Sequence, residues 1–356
     1  MTRRNAMKNR SAFLYKPYDL RVEERDIGGI RDDQVLIKMK ACGICGSDVE
    51  CYEGKSKEGR YDIAPYAPGH EWAGQAVEVG SQVINIAKGN KVTGDCVLPC
   101  GKCINCKNGL MPSACLNMRE VGFRPDSPGG MAEYMVLEGQ YIHPFPDEWS
   151  FDEGALIENF SVGYFGIWGN GGFVDARDRV IIMGGGPIGL SALAVAKAAH
   201  AYVIIVEPLP ARQKLAIEYG ADTVINPDDP DYVKQILDLT HGGGNLIVEA
   251  SGNDKAIASV FDIAGHSARV RLIGHSVGRK IPIEIGKTIW KTLNIAGAGG
   301  TKDFMPRSIE FMDRIRKTHN FSRVITHKFD FKNIKDAFKK ACEDKANSIK
   351  VMLYMQ

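Results

Sequence analysis

Three cysteines, Cys100, Cys103 and Cys106, stand in a Cys-x2-Cys-x2-Cys row, and Cys115 follows nine positions later. Four thiolates on one short lobe make a closed tetrahedral zinc site of the structural kind. Disulfides fit poorly, because the chain has nine cysteines, an odd number, and no secretory segment precedes them. A nucleic-acid knuckle fits no better, since the formal net charge is only +2 and no basic stripe accompanies the lobe. A second set of donors lies upstream: Cys45, within Cys42-Gly43-Ile44-Cys45-Gly46-Ser47-Asp48, and the run Gly69-His70-Glu71. A thiolate, an imidazole and a carboxylate are zinc ligands, and a reactive zinc keeps three of them and one open position. As a Lewis acid it lowers the pKa of a substrate hydroxyl, and the resulting alkoxide releases hydride to a nicotinamide far more readily than an alcohol does.

The nicotinamide is expected from the run Gly184-Gly185-Gly186-Pro187-Ile188-Gly189, a Gly-x-Gly-x-x-Gly turn. It follows a continuous apolar run, residues 179–183, and opens a small-residue helix, which is the context this motif requires. Gly184 permits the tight turn, Gly186 lets a pyrophosphate approach the backbone, and Gly189 lets helix pack on strand. Pro187 suits a first helical turn, Ile188 follows it, and the free N–H groups there face the phosphates. Glu207 ends the next strand about 20 residues on, where a carboxylate accepts the adenosine ribose hydroxyls and repels a 2′-phosphate. NAD is therefore expected over NADP. Arg212 could pair with a phosphate and keeps NADP open, although a solvated helix arginine is the plainer account.

The elements that must position these groups divide the chain. At 356 residues it is too long for one ordinary core. Residues 1–160 read as short strands punctuated by turns, with alternation over 35–40 and 74–79. From about Arg179 strands alternate with helices: strands at 179–183, 202–206, 246–249 and 270–273, helices at 190–199, 211–219, 232–240 and 255–263. That alternation predicts a doubly wound parallel sheet, an α/β Rossmann arrangement. After Gly299 helices are expected at 308–316 and 333–341 and a strand at 348–354, a tail that completes the first domain. The basic start, residues 1–10, reads as a frayed tail before a strand at 12–15. No apolar run approaches the roughly 20 residues of a membrane helix, and the near-neutral charge gives no general attraction to nucleic acid or membrane. The unassigned cysteines Cys42, Cys51, Cys96 and Cys342 suit a reducing cytoplasm.

Taken together, Cys45-Gly46-Ser47-Asp48, Gly69-His70-Glu71, the Cys100–Cys115 lobe, Leu156-Ile157-Glu158-Asn159-Phe160-Ser161-Val162-Gly163 and Gly184–Gly189 resemble the zinc-dependent medium-chain dehydrogenase/reductase superfamily. The pattern is nearest to its sorbitol (polyol) and threonine dehydrogenases. The resemblance implies a GroES-like, largely β catalytic domain over 1–162, a Rossmann NAD domain over 163–298, and a return segment over 299–356. It implies Cys45 and His70 as catalytic zinc ligands, with Glu71 or Glu158 as the third, and about two zinc ions per chain. Liver-type alcohol dehydrogenases have a cysteine where Glu158 falls, so a polyol, cyclitol or amino-alcohol substrate is expected over a simple alcohol. Ser47 would bind the substrate hydroxyl and start a proton relay through the nicotinamide ribose. Relatives form dimers or tetramers through the nucleotide domain, so a homo-oligomer is expected, with the active site between the domains.

Two departures matter. Eight residues separate Cys106 from Cys115, one more than is usual, so the fourth thiolate needs a small bulge. Glu50 stands where the relatives have the outer histidine of the relay, and a carboxylate of raised pKa could act there as base. Leu246–Gly252, Leu272–Ser276 and Ile295–Gly300 end strands near where a cofactor would sit, with His275 among them. Other possibilities are an NADPH-dependent ketone or aldehyde reductase and a nucleotide-binding relative without catalysis.

Overall fold

The computed structural model describes residues 7–55, 63–274, 278–299 and 304–355. His275, Ser276 and Gly300, named above as near the cofactor, lie outside the described residues, as does the start of the tail, residues 1–6. The chain divides into two units. One comprises Met1–Glu158, Gly300–Phe311 and Asn320–Gln356; the other comprises Asn159–Gly299 and Met312–His319. The segment Met312–His319 thus groups with the second unit, whereas the sequence reading gave all of 299–356 to the first. Burial explains it: Met312 is 1% exposed, and the His319 ring meets the Tyr219 ring edge-on at 6.2 Å.

In the first unit a seven-stranded sheet runs in the order Ile325–Asp330, Lys350–Tyr354, Gln34–Ile44, Glu71–Val79, Lys91–Gly94, Ile142–Pro144, with Tyr134–Glu138 also pairing the Gln34–Ile44 strand. That strand is the backbone of the unit. Its inward residues Val35, Ile37, Met39 and Cys42 are fully buried, and they pack with Trp72, Met131 and Leu353 into one core. A separate hairpin joins Met7–Lys16 to Asp19–Ile27 in antiparallel register. The strand therefore begins at Met7, five residues earlier than expected. Ladder bonds from Met7 onward hold it, and Asn9 adds side-chain bonds to Tyr134 while Arg10 pairs with Glu133. A basic composition alone does not fray a segment whose backbone has a partner.

The second unit is a six-stranded, wholly parallel sheet. Its order is Thr223–Ile225, Tyr202–Val206, Arg179–Met183, Gly244–Glu249, Ala264–Leu272, Asn294–Gly297. Numbered along the chain this is 3-2-1-4-5-6, the doubly wound order, with its reversal between the first and fourth strands. Val180, Ile181, Ile182, Val203, Ile204 and Ile205 are fully buried, as a sheet covered on both faces demands. The helix Pro187–Ala198 follows the first strand and buries Leu190, Ala192, Leu193, Ala194, Val195 and Ala196.

That helix can sit where it does only because Gly189 has no side chain. A Cβ there would collide with the Gly184 carbonyl oxygen, a backbone atom that cannot swing aside. Gly189→Ala is expected to cost about 1–3 kcal/mol through overpacking. A drop of several degrees in the thermal midpoint checks it; an unchanged midpoint would refute the steric account.

Candidate active site and metal centres

The reactive donors converge because three strand ends are in register. In the antiparallel pairing of Gln34–Ile44 with Glu71–Val79, Gly43 lies opposite Glu71. Cys45 therefore leaves the first strand just where His70 enters the second. On the other side, Gly43 lies opposite Met352 and Ile44 opposite Val351, which brings Lys350 to the same end. Gly43 is the bridge. A Cβ at Gly43 would collide with the Glu71 carboxylate and press on the Lys350 side chain, so both side chains cross the strand over this glycine. Lys350 Nζ then donates to Glu71 Oε1 at 2.7 Å and Oε2 at 2.5 Å, and to the Ile44 carbonyl at 3.2 Å.

Cys45, His70 and Glu71 each offer a donor atom, all within 4.8 Å of one another; His70, Cys96 and Glu158 do the same. Two ligands of one tetrahedral zinc sit about 3.5–4 Å apart, given Zn–S near 2.3 Å and Zn–N near 2.0 Å. Each set is thus within a small contraction of a common ion. Asp48, in the first turn of the helix Gly46–Tyr52, accepts the Cys45 N–H through Oδ2 at 2.9 Å. Its Oδ1 faces His70 Nδ1 at 3.7 Å, and both atoms are buried with no hydrogen-bond partner. The His70 ring also packs against Phe123, centroids 5.0 Å apart.

Charge crowds this pocket. Asp48 is 2%, Glu71 0% and Glu158 9% exposed, and Lys350 is 4% exposed. Burial raises the Asp48 carboxyl, only partly offset by His70. Burial, opposed by His70 and reinforced by Glu71, pushes Glu158 up to about 7. Burial also pushes the Cys96 thiol well up, with Glu158 adding to it. For His70 burial lowers the pKa, but Asp48 and Cys45 more than offset it and leave it well above the ordinary value. For Lys350 burial likewise lowers it, and Glu71 restores it to a raised value.

Ser47 and Glu50 lie one turn apart on the helix Gly46–Tyr52, so they share a face. Both are half-buried. Cys42 is fully buried in the core, as a plain hydrophobe would be.

In the cysteine lobe, Cys100, Cys103, Cys106 and Cys115 bring their sulfurs within 4.8 Å of one another. Cys103 and Cys106 are 3.4 Å apart and Cys103 and Cys115 3.9 Å. The longer Cys106–Cys115 spacing is taken up by a short helical turn, Pro112–Ala114, which delivers Cys115 to the cluster. Amide donors surround the sulfurs: Cys100 N–H to Cys115, Cys103 N–H to Cys100, Cys106 N–H to Cys103. The N–H groups of Lys102 and Cys103 hold Cys100 down to about 6, whereas burial and the thiols of Cys103 and Cys115 push Cys106 up to about 12. Four sulfurs so placed cannot all ionise without a cation among them.

In the second unit Gly184 adopts φ +100°, the left-handed region that favours glycine, and its N–H bonds the Val206 carbonyl at 2.8 Å. Gly186 caps the helix and Pro187 opens it, with Ile188 half-buried behind. Glu207 is 2% exposed; its Oε2 accepts the Gly185 N–H at 2.7 Å and Oε1 the Leu209 N–H at 2.9 Å. Arg212 brings Nη1 to 3.8 Å from where a Cβ on Gly186 would stand, so the guanidinium overhangs the glycine turn. Glu249, at the end of the fourth strand, was not singled out by sequence. Its buried Oε1 accepts Ser251 N–H, Ser251 Oγ–H and Gly252 N–H at 2.9, 2.5 and 3.1 Å. Ser251 packs on Gly184, so Glu249 braces the glycine turn from the side. Lys350 was missed as well; its one signal in the sequence is a lone cation opening an otherwise apolar strand.

Removing one partner of a buried ion pair strands the other. Lys350→Met should therefore cost about 3–5 kcal/mol, and Lys350→Met with Glu71→Gln should recover much of it. Thermal or urea unfolding of both variants checks this; additive losses would refute the pairing.

With this geometry established, the chain can be set beside known proteins. Residues 31–147 match the family model described as alcohol dehydrogenase GroES-like domain, and residues 187–314 the one described as zinc-binding dehydrogenase. The scyllo-inosose 3-dehydrogenase of Thermotoga maritima is 32% identical, the match covering 92% of this chain and 88% of the relative. The L-threonine 3-dehydrogenase of Pyrococcus furiosus is 33% identical over 94% of this chain and 96% of the relative. An alcohol dehydrogenase of Escherichia coli CFT073 complexed with NADH superposes with a TM-score of 0.87 at 27% identity, covering 98% of this chain and 99% of that one. A zinc-binding dehydrogenase of Sinorhizobium meliloti 1021 bound to NADP gives 0.88 at 27% identity, with the same coverage. The chain belongs to the zinc-dependent medium-chain dehydrogenase/reductase superfamily, in its polyol and threonine dehydrogenase branch.

Proposed function

We propose that this chain oxidises a secondary alcohol of a polyol, cyclitol or amino alcohol to a ketone, with NAD as hydride acceptor. The observation that carries the proposal is the convergence of Cys45, His70 and Glu71, donors distant in sequence, within 4.8 Å. The relatives are named as acting on a cyclitol ketone and on an amino alcohol, which supports the substrate class. When bound, zinc supplies Lewis acidity toward a hydroxyl and the dinucleotide supplies the hydride acceptor.

The residues present fit such an ion. Soft and borderline donors with orphaned His70 Nδ1 and Asp48 Oδ1 leave the pocket short of positive charge. Cys45 and His70 would hold the ion. Lys350 competes for both oxygens of Glu71, whereas Glu158 is raised for want of a cation, so Glu158 gains more from a metal and is the better third ligand. With Nδ1 on the Asp48 side, the His70 ring keeps Nε2 for the ion, and Asp48 orients it. Ser47 would take the substrate hydroxyl proton, and Glu50, one turn along, would pass it toward water. Cys100, Cys103, Cys106 and Cys115 would hold a second, structural zinc.

Gly184, Gly186, Pro187, Ile188 and Gly189 would cradle the pyrophosphate on backbone N–H groups. Each Glu207 oxygen has one amide donor and a lone pair left for a ribose hydroxyl, which favours NAD. Arg212 over the turn favours the alternative, an NADPH-dependent ketone or aldehyde reductase, in which its guanidinium takes a 2′-phosphate.

A panel of polyols, cyclitols, amino alcohols and simple alcohols, each with NAD and NADP at equal concentration, tests the function by nicotinamide absorbance. Turnover of a vicinal diol or amino alcohol with NAD is expected, together with about two zinc ions per chain. Turnover of simple alcohols alone, or no metal, would end the proposal. Glu207→Ser should raise the KM for NAD by at least about tenfold, near 1.4 kcal/mol, and improve NADP use. Unchanged cofactor preference would take Glu207 out of the ribose site.

A further inference from the structure

Cys96 has no role in the function proposed above. It lies in the short link between the strands Lys91–Gly94 and Val97–Leu98, its carbonyl accepting the Val121 N–H at 2.9 Å. A bland account makes it a small hydrophobe against the core, with which it does make contact. Its neighbours argue otherwise. Its sulfur, a His70 ring nitrogen and a Glu158 oxygen lie within 4.8 Å of one another, and His70 belongs equally to the Cys45–His70–Glu71 set. An imidazole and a carboxylate are poor company for a packing side chain but good company for a ligand. Cys96 is also half-buried, unlike Cys42, which is enclosed by the core.

We propose that Cys96 is a second thiolate ligand of the ion at the reactive centre, so that its donors are two sulfurs, one imidazole and a carboxylate. This rests on the metal reading given under the proposed function. On binding, the Cys96 thiol gives up its proton to solvent and its sulfur bonds the ion, with no change of oxidation state. A centre with two thiolates selects zinc or cobalt(II) over magnesium or manganese(II). His70, shared by both donor sets, is the fixed point of the centre. The two cysteines approach it from different strand ends, Cys45 beyond Gln34–Ile44 and Cys96 beyond Lys91–Gly94.

The test uses the full chain with cobalt(II) in place of zinc, because thiolate-to-cobalt absorption reports bound sulfurs. Six thiolates are expected: the four of the lobe, Cys45 and Cys96. Cys96→Ser should lower that absorption by about one sixth, as Cys45→Ser does. In the zinc-loaded protein Cys96→Ser should release the reactive-centre ion to a chelator at least about tenfold faster. Cys96→His should restore retention without restoring the absorption, which a packing residue would not do. Cys96→Ala supplies the same readings should serine disturb the fold. Absorption and zinc retention both unchanged in Cys96→Ser would overturn the assignment and leave the metal reading standing. A wild-type protein that binds metal in the cysteine lobe alone would overturn the metal reading and, with it, this one.

Discussion

One buried ammonium governs how much negative charge the first unit can gather at the end of its central strand. Lys350 reaches over Gly43 to grip both oxygens of Glu71, with Asp48 and Glu158 buried close by. Without it Glu71 would be an uncompensated charge in a site with almost no water contact, at a cost of several kcal/mol. With it the pocket still holds more carboxylate than cation, and the raised Asp48 and Glu158 register the shortfall. The pocket is therefore built to a charge deficit of the size a divalent ion fills. The glycine at position 43 is as much a part of the site as any donor, since any side chain there would separate the pair.

The second unit solves a different problem by the same means, local removal of atoms. Gly184 bends the chain where L side chains rarely go, and Gly189 lets the helix Pro187–Ala198 approach the turn. The buried carboxylates Glu207 and Glu249 then fix that turn from two sides by accepting backbone N–H groups. Both lie at carboxyl ends of strands, where the doubly wound sheet reverses its order and ligands bind. Glu207 consequently has a structural task as well as a proposed binding one. That dual duty explains why it is buried at 2% exposure rather than solvated like an ordinary strand-end glutamate.

Much of this was legible beforehand, and the reasons are specific. The strand Tyr202–Val206 and the helix Tyr232–Thr240 fall where apolar runs and periodicity place them, because parallel strands buried on both faces leave an unbroken signal. The short strands Thr223–Ile225 and Ile325–Asp330 were not anticipated; they are too brief or too exposed for a pattern, and only pairing with neighbours makes them strands. The hairpin strand Met7–Lys16 was clipped for the same reason, its ladder partner lying further along the chain. Among site residues, Cys45, His70 and the four lobe cysteines declare themselves by type and spacing. Lys350 and Cys96 do not. A single lysine before an apolar strand, or a single cysteine in a turn-rich stretch, has many innocent explanations.

The sequence by itself determined which atoms are available: thiolates at short spacings, an imidazole beside a carboxylate, and glycines where a phosphate turn needs them. These follow from local chemistry, because residue type and separation along the chain fix what a few neighbouring side chains can do. Only the tertiary structure decided which distant groups meet. The register that sets Gly43 opposite Glu71 and Ile44 opposite Val351 brings Lys350 onto Glu71 and leaves Glu158 short of a cation. Register is a property of paired strands held in a common core, and shifting it by one residue would turn each of these side chains to the other face.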